Sequence, residues 1–131
     1  MGKRYRKYGN KHVWYDGIEF VSKAEGDYYL YLKQLEQNGV ISNLRLQVPF
    51  EIIPAVWGER VKHLKTKDKT EKYSIQKATY YIADFVYVVT ATGRQEVVDV
   101  KSDETRTDPV YRLKKKMMQA YNNITIKEII V

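Results

Sequence analysis

The sequence predicts an α+β fold, with helices packed on a mixed β-sheet. Three observations carry that expectation. Ser22, with Glu25 three residues later, opens an amphipathic helical run. Two β-rich runs, Tyr80-Tyr-Ile-Ala-Asp-Phe-Val-Tyr-Val-Val-Thr90 and Arg94-Gln-Glu-Val-Val-Asp-Val-Lys101, lie close enough in the chain to form a hairpin. Asp108-Pro109 then supplies an N-cap and a first-turn proline for a second helix, ahead of a final apolar strand over residues 124–131.

Taken in order, residues 12–20 read as a short strand pair turning at Asp16-Gly17. The first helix runs from Ser22 to about Asn38, where Gly39 stops it, and its apolar stripe is Ala24, Tyr28, Tyr31, Leu32 and Leu35. Glu25 falls at the margin of that stripe, roughly 75° from its centre at 100° per residue. Residues 40–53 form a strand with Leu44, Leu46, Val48, Phe50 and Ile52 on one face, and Pro49 places it at a sheet edge or marks a bulge. Residues 59–78 lack apolar periodicity and read as a long Lys-rich loop inserted between core strands. The second helix presents Val110, Leu113, Met117, Ala120 and Tyr121 inward, with Lys114 beside that face and Lys115 and Lys116 turned away from it.

The 131 residues suit one domain, 1–131, able to bury roughly two-thirds of its unfolded surface. With 44% hydrophobic and 30% charged residues the chain is a folded, not a disordered, type. No run reaches membrane-spanning length and the basic start lacks a secretory apolar stretch, so the expected location is the cytoplasm, with no membrane partner. Zero cysteines exclude disulfides and thiolate metal sites, and two distant histidines, His12 and His63, argue against zinc.

Charge is unevenly placed. Lys and Arg number 23 against 16 Asp and Glu, a net +7. Residues 1–12 form a basic tail with Lys3, Arg4, Arg6 and Lys7 interleaved with Tyr5 and Tyr8, suited either to phosphates and bases or to a solvated terminus. The 59–78 segment carries seven Lys or Arg, including Lys65, Lys67 and Lys69, against Glu59, Asp68 and Glu71. With Lys114 and Lys115 these form a candidate nucleic-acid-binding surface.

The chemistry centres on Asp84, Asp99 and Lys101. Period-two alternation puts Asp99 and Lys101 on one face, and a two-residue turn at Ala91-Thr92 would set Asp84 opposite Asp99. A bulged turn at Gly93 would separate them, so register decides. Two carboxylates and an ammonium brought together in this way suit a divalent cation and phosphodiester hydrolysis. Asp99 and Lys101 as an ordinary ion pair, and Glu25 as no more than half of a capping box, are the plainer readings.

Asp84 followed by Asp99-Val-Lys101 resembles the PD-(D/E)xK nuclease superfamily, which includes restriction endonucleases and Holliday-junction resolvases. Gly17-Ile-Glu-Phe-Val-Ser-Lys-Ala-Glu25, Gln47-Val-Pro-Phe50, Tyr81-Ile-Ala-Asp-Phe-Val-Tyr87 and Val98-Asp-Val-Lys-Ser102 are similar to a small phage and prophage family within it, despite Ala83 standing where the motif name has proline. The resemblance implies a restriction-endonuclease-like αβββαβ core and a Mg2+- or Mn2+-dependent endodeoxyribonuclease, with DNA as partner and a homodimer where branches are cut. It implies Asp84, Asp99 and Glu25 as metal ligands, Lys101 as the catalytic lysine, and Gln47 and Lys114 as accessory residues. The alternative is a non-catalytic nucleic-acid-binding module on the same scaffold.

Overall fold

The computed structural model describes residues 11–131, so the tail residues Lys3, Arg4, Arg6 and Lys7 lie outside the described residues. The chain is α+β. Its elements are β1 (Val13–Tyr15), β2 (Ile18–Phe20), α1 (Lys23–Gln37), β3 (Ile41–Ile53), β4 (Val56–His63), β5 (Asp68–Gln76), β6 (Thr79–Val89), β7 (Gln95–Lys101), α2 (Asp103–Arg106), α3 (Pro109–Asn122) and β8 (Ile126–Ile130). The central sheet has the order β3-β6-β7-β8, antiparallel except for the parallel pair β7 and β8. Setting aside the short pairs and α2, α1, β3, β6, β7, α3 and β8 give the expected αβββαβ order. Among the described residues no helix is long and apolar enough to cross a membrane.

Two cores lie on opposite faces of this sheet. Phe20, Tyr29, Leu32, Ile41, Phe85, Tyr87 and Val98 pack under α1, while Ile52, Tyr81, Ala83, Val86, Val97, Tyr111, Met118 and Ile126 pack under α3. Local signals place the elements. Asp16 and Gly17, both with positive φ, make the tight β1–β2 turn, and Tyr29 donates a 2.8 Å hydrogen bond to Asp16 Oδ2. Ser22 caps α1 and Asp108 caps α3 through their side chains, and Pro109 occupies the first turn. Pro49 sits in the edge strand β3, where a missing donor is tolerated.

Four expectations are corrected. Residues 59–78 are not a loop: β4 and β5 form an antiparallel ribbon, which escaped detection because neither face meets a core and so neither carries an apolar alternation. The inner face of α3 is Tyr111, Met118 and the half-buried Lys114, Lys115 and Met117, whereas Val110, Leu113 and Tyr121 are exposed. Lysine stems can cover apolar surface, so the helix turns its one ring with a polar partner inward rather than its most apolar stripe. In α1 the buried stripe is Glu25, Gly26, Tyr29 and Leu32; Tyr31 faces out, and Glu25 lies within the stripe instead of at its margin. Finally, β3 does not keep one apolar face. Leu44 and Leu46 pack with α1, but Val48, Phe50 and Ile52 pack with α3.

That last change is a turnover shared by two strands. Leu46 pairs with Phe85 and Val48 with Ala83, and each pair packs on the opposite side of the sheet from the other. Between them stand Gln47 and Asp84. Gln47 has φ 50°, a left-handed conformation that costs an L-residue about 1–2 kcal/mol and here inverts the alternation.

Candidate functional site

The β6–β7 hairpin has the register that sets positions 84 and 99 opposite, with Phe85 paired to Val98 and Val88 to Gln95. A four-residue turn, Thr90 to Gly93, closes it on Val89 and Arg94 instead of the expected two-residue turn, and Gly93 takes φ 71° there. An even loop length preserves the register, which is why the sequence reading of the pairing holds.

Beyond Phe85 and Val98 the ladder gives way to side chains. The Asp84 backbone N–H donates to Asp99 Oδ1 at 2.8 Å, and the Val100 N–H donates to Asp84 Oδ2 at 3.0 Å. Each aspartate thus replaces a strand carbonyl on the facing backbone, which fixes both carboxylates in the splay between β6 and β7. Asp99 is 1% exposed, and its second oxygen, Oδ2, is buried without a partner among the described residues. An unpaired buried carboxylate oxygen is costly, typically 1–3 kcal/mol or more, and its presence marks a place for a cation or donor.

Glu25 enters from α1. Ser22 Oγ accepts from the Glu25 N–H at 3.1 Å, but the reciprocal half of a capping box is not formed among the described residues. The Glu25 carboxylate instead accepts from Gln47 Nε2 at 3.4 Å, and the same amide reaches Asp84 Oδ1 at 3.4 Å. Gln47 therefore bridges the two acids from the strand turnover. Glu25 and Asp84 together line two adjoining cavities of about 400 and 230 Å³; the larger also contains Lys101, Ser102 and Val100, the smaller Gln47 and Phe20.

All three acids hold protons more tightly than usual. Burial pushes Asp99 up to about 6 and Asp84 upward; burial, then the charges of Asp84 and Asp99, raise Glu25 to about 7. The Lys101 ammonium opposes the rise at each of them. Lys101 is itself placed by Tyr111, with Nζ 4.6 Å from the ring centroid, and the Tyr111 hydroxyl donates to Glu128 at 2.6 Å. The sequence reading missed Tyr111 in this role; its only signal is its place on the turn capped by Asp108.

The remaining expected residues are elsewhere. Lys114 lines a separate cavity of about 300 Å³ with Tyr80, Tyr81, Ile82 and Tyr111, not the space shared by Glu25 and Asp84. Lys115 pairs with Glu128 at 3.1 Å and faces another cavity, about 610 Å³, which contains none of Glu25, Asp84, Asp99 or Lys101. Lys65, Lys67 and Lys69 are at the distal end of the β4–β5 ribbon. Among the described residues no group of three or more His, Cys, Asp or Glu side chains is arranged as a ready metal cage.

Fold and site together define an α+β protein with a buried acidic centre set in a strand splay and attended by one lysine. The chain belongs to the DUF1064 family, described as protein of unknown function, whose model matches residues 5–131. No curated protein and no solved structure matches it.

Proposed function

We propose that this chain is a divalent-metal-dependent endodeoxyribonuclease of the PD-(D/E)xK type, acting on branched DNA. The observation that carries the reading is Asp99 Oδ2, a buried carboxylate oxygen without a partner among the described residues, in the splay that also holds Asp84 and within the influence of Lys101.

The residues fit a Mg2+ or Mn2+ ion. Magnesium is commonly held by one or two carboxylates plus substrate phosphates, so Asp84 and Asp99 suffice as the protein share without a three-ligand cage. When bound, the ion would supply neutralisation of phosphate charge and acidification of water. The chain's own groups do the rest. Backbone N–H bonds from Asp84 and Val100 hold the two aspartates in place before substrate arrives. Lys101, held over Tyr111, donates to a phosphoryl oxygen as charge builds on the pentavalent phosphorus. Glu25 accepts a proton from the attacking water, and Gln47 keeps it beside Asp84. Paired cuts across a branch require two sites, and hence two copies of the chain.

The exposed basic ribbon would equally serve a nucleic-acid-binding module without cleavage. Labelled linear, single-stranded, forked and four-way-junction DNA, incubated with Mg2+, Mn2+ or EDTA, separates the two readings. Metal-dependent cutting that falls by about 10²–10³-fold or more in Asp84→Asn supports the nuclease. Binding without cutting on every substrate, or equal cutting by Asp84→Asn, rejects it.

A further inference from the structure

The β4–β5 ribbon is an extension of the central sheet. Ile53 pairs with Thr79 where β3 ends and β6 begins, and Val56 pairs with Gln76 where β4 begins and β5 ends, so one hairpin register runs across the break at Pro54 and Ala55. Gln76 Nε2 donates to the Pro54 carbonyl at 3.1 Å and ties the break. Beyond it both faces are exposed, apart from Gly58 and Glu71. Tyr73 lies over Gly58, where an added Cβ would come within 2.7 Å of its Cζ. Arg60 stacks 5.0 Å from the Tyr73 ring centroid and bonds Glu71 at 2.9 Å. The next pair on this face is Lys62 directly opposite Lys69. Lys65 and Lys67 follow in the turn, which is closed by a bond from the Leu64 N–H to the Lys67 carbonyl at 2.8 Å.

Directly opposed like charges destabilise a strand pair, and a lone two-stranded ribbon is marginal in water. Four lysines concentrated at the end of such a ribbon therefore act against its own stability and are explained by a polyanion that neutralises them. We propose that the β4–β5 ribbon is an arm that enters the major groove of B-form duplex DNA beside the cut, with Lys62, Lys65, Lys67 and Lys69 on phosphates. This rests on the DNA reading above and sharpens it. A B-form major groove, about 12 Å wide, admits a two-stranded ribbon, whereas the deep, narrow major groove of an RNA duplex does not. Eight extended residues reach about 26 Å, or some seven to eight base pairs.

The test is binding of a 24-base-pair DNA duplex and its RNA counterpart in EDTA, where metal-dependent cleavage is off, at several salt concentrations. The variant replaces Lys62, Lys65, Lys67 and Lys69 with Ala. Removing the opposed pair relieves repulsion, and amide exchange of the ribbon checks that it persists. The wild type is expected to prefer DNA, and the variant to lower the slope of log affinity against log salt by about 3.6. Guanine N7 positions along the duplex should be protected from methylation by saturating wild type and not by the variant. An unchanged slope with the ribbon intact, equal binding of the RNA duplex, or unprotected N7 positions would each overturn the arm. Metal-dependent cutting by the wild type would persist in that event if the nuclease reading is sound. Conversely, groove protection without any cutting would keep the arm and remove the nuclease.

Discussion

The splay and the ribbon handle charge in opposite ways. Around the half-buried Asp84 and the buried Asp99, negative charge is held by two backbone N–H groups and surrounded by both cores, with Ala83, Phe85, Val86 and Val98 fully buried beside it. Along β4 and β5, positive charge is exposed on a ribbon whose strands pair only with each other. Fixed, dehydrated groups suit chemistry, because their geometry is set before substrate arrives. Solvated, adjustable lysines suit a backbone of phosphates that is bound by charge and at no single position.

The contrast is expected to show most strongly in stability. Phe85→Ala empties a site between α1 and the sheet and should cost about 3–5 kcal/mol in chemical denaturation. Val61→Ala on the exposed ribbon should stay within about 0.5 kcal/mol, and ribbon amides should exchange well before those of β6. Equal costs, or equal protection of the two regions, would mean that the ribbon is part of the cooperative core.

The same contrast explains what was legible in the sequence. Core strands announce themselves through apolar runs, so Tyr80 to Thr90 and Arg94 to Lys101 could be paired from residue type, but the Asp84–Asp99 alignment hung on the turn, which residue type left open between an even and a bulged loop. The ribbon has Thr, Val, Tyr and Ile scattered among lysines and glutamates, with nothing behind either face to impose alternation. Capping signals located α1 and α3 but not their rotation. Glu25 and Tyr111 are turned inward by partners distant in sequence, Gln47 and Glu128, which no local pattern reveals. The turnover at Gln47 was also hidden, since alternation around it reads as one continuous strand.

A smaller effect tests whether the buried acids strain the splay. The folded state raises the proton affinity of Asp99 and Glu25, so it favours their neutral forms. Their contribution to stability is fully present below the unfolded values near 4 and is lost as pH rises through about 6 to 7. Without metal, wild type is therefore expected to lose stability relative to Asp99→Asn between about pH 4 and pH 7, the window set by Asp99 itself. The variant keeps an oxygen for the Asp84 N–H and should be more stable at pH 8 by about 1–3 kcal/mol. Mg2+ should narrow that gap by stabilising wild type. A difference independent of pH would show that Asp99 carries no burial strain.

The smallest effect concerns Gln47, which belongs to both sides of the comparison: it is exposed, yet it organises the buried site. Its left-handed backbone inverts β3, and its side-chain amide reaches both Glu25 and Asp84. Two substitutions separate these roles, because each removes the amide and only one relieves the backbone. Gln47→Gly should be more stable than Gln47→Ala by about 1 kcal/mol, since glycine accepts φ 50° without a Cβ penalty. Both should lower cleavage several-fold and by similar factors, because Glu25 and Asp84 lose their common donor. If alanine proved as stable as glycine, the turnover would be unstrained and set by its neighbours. If cleavage followed stability instead of the amide, Gln47 would act by shaping β3 alone.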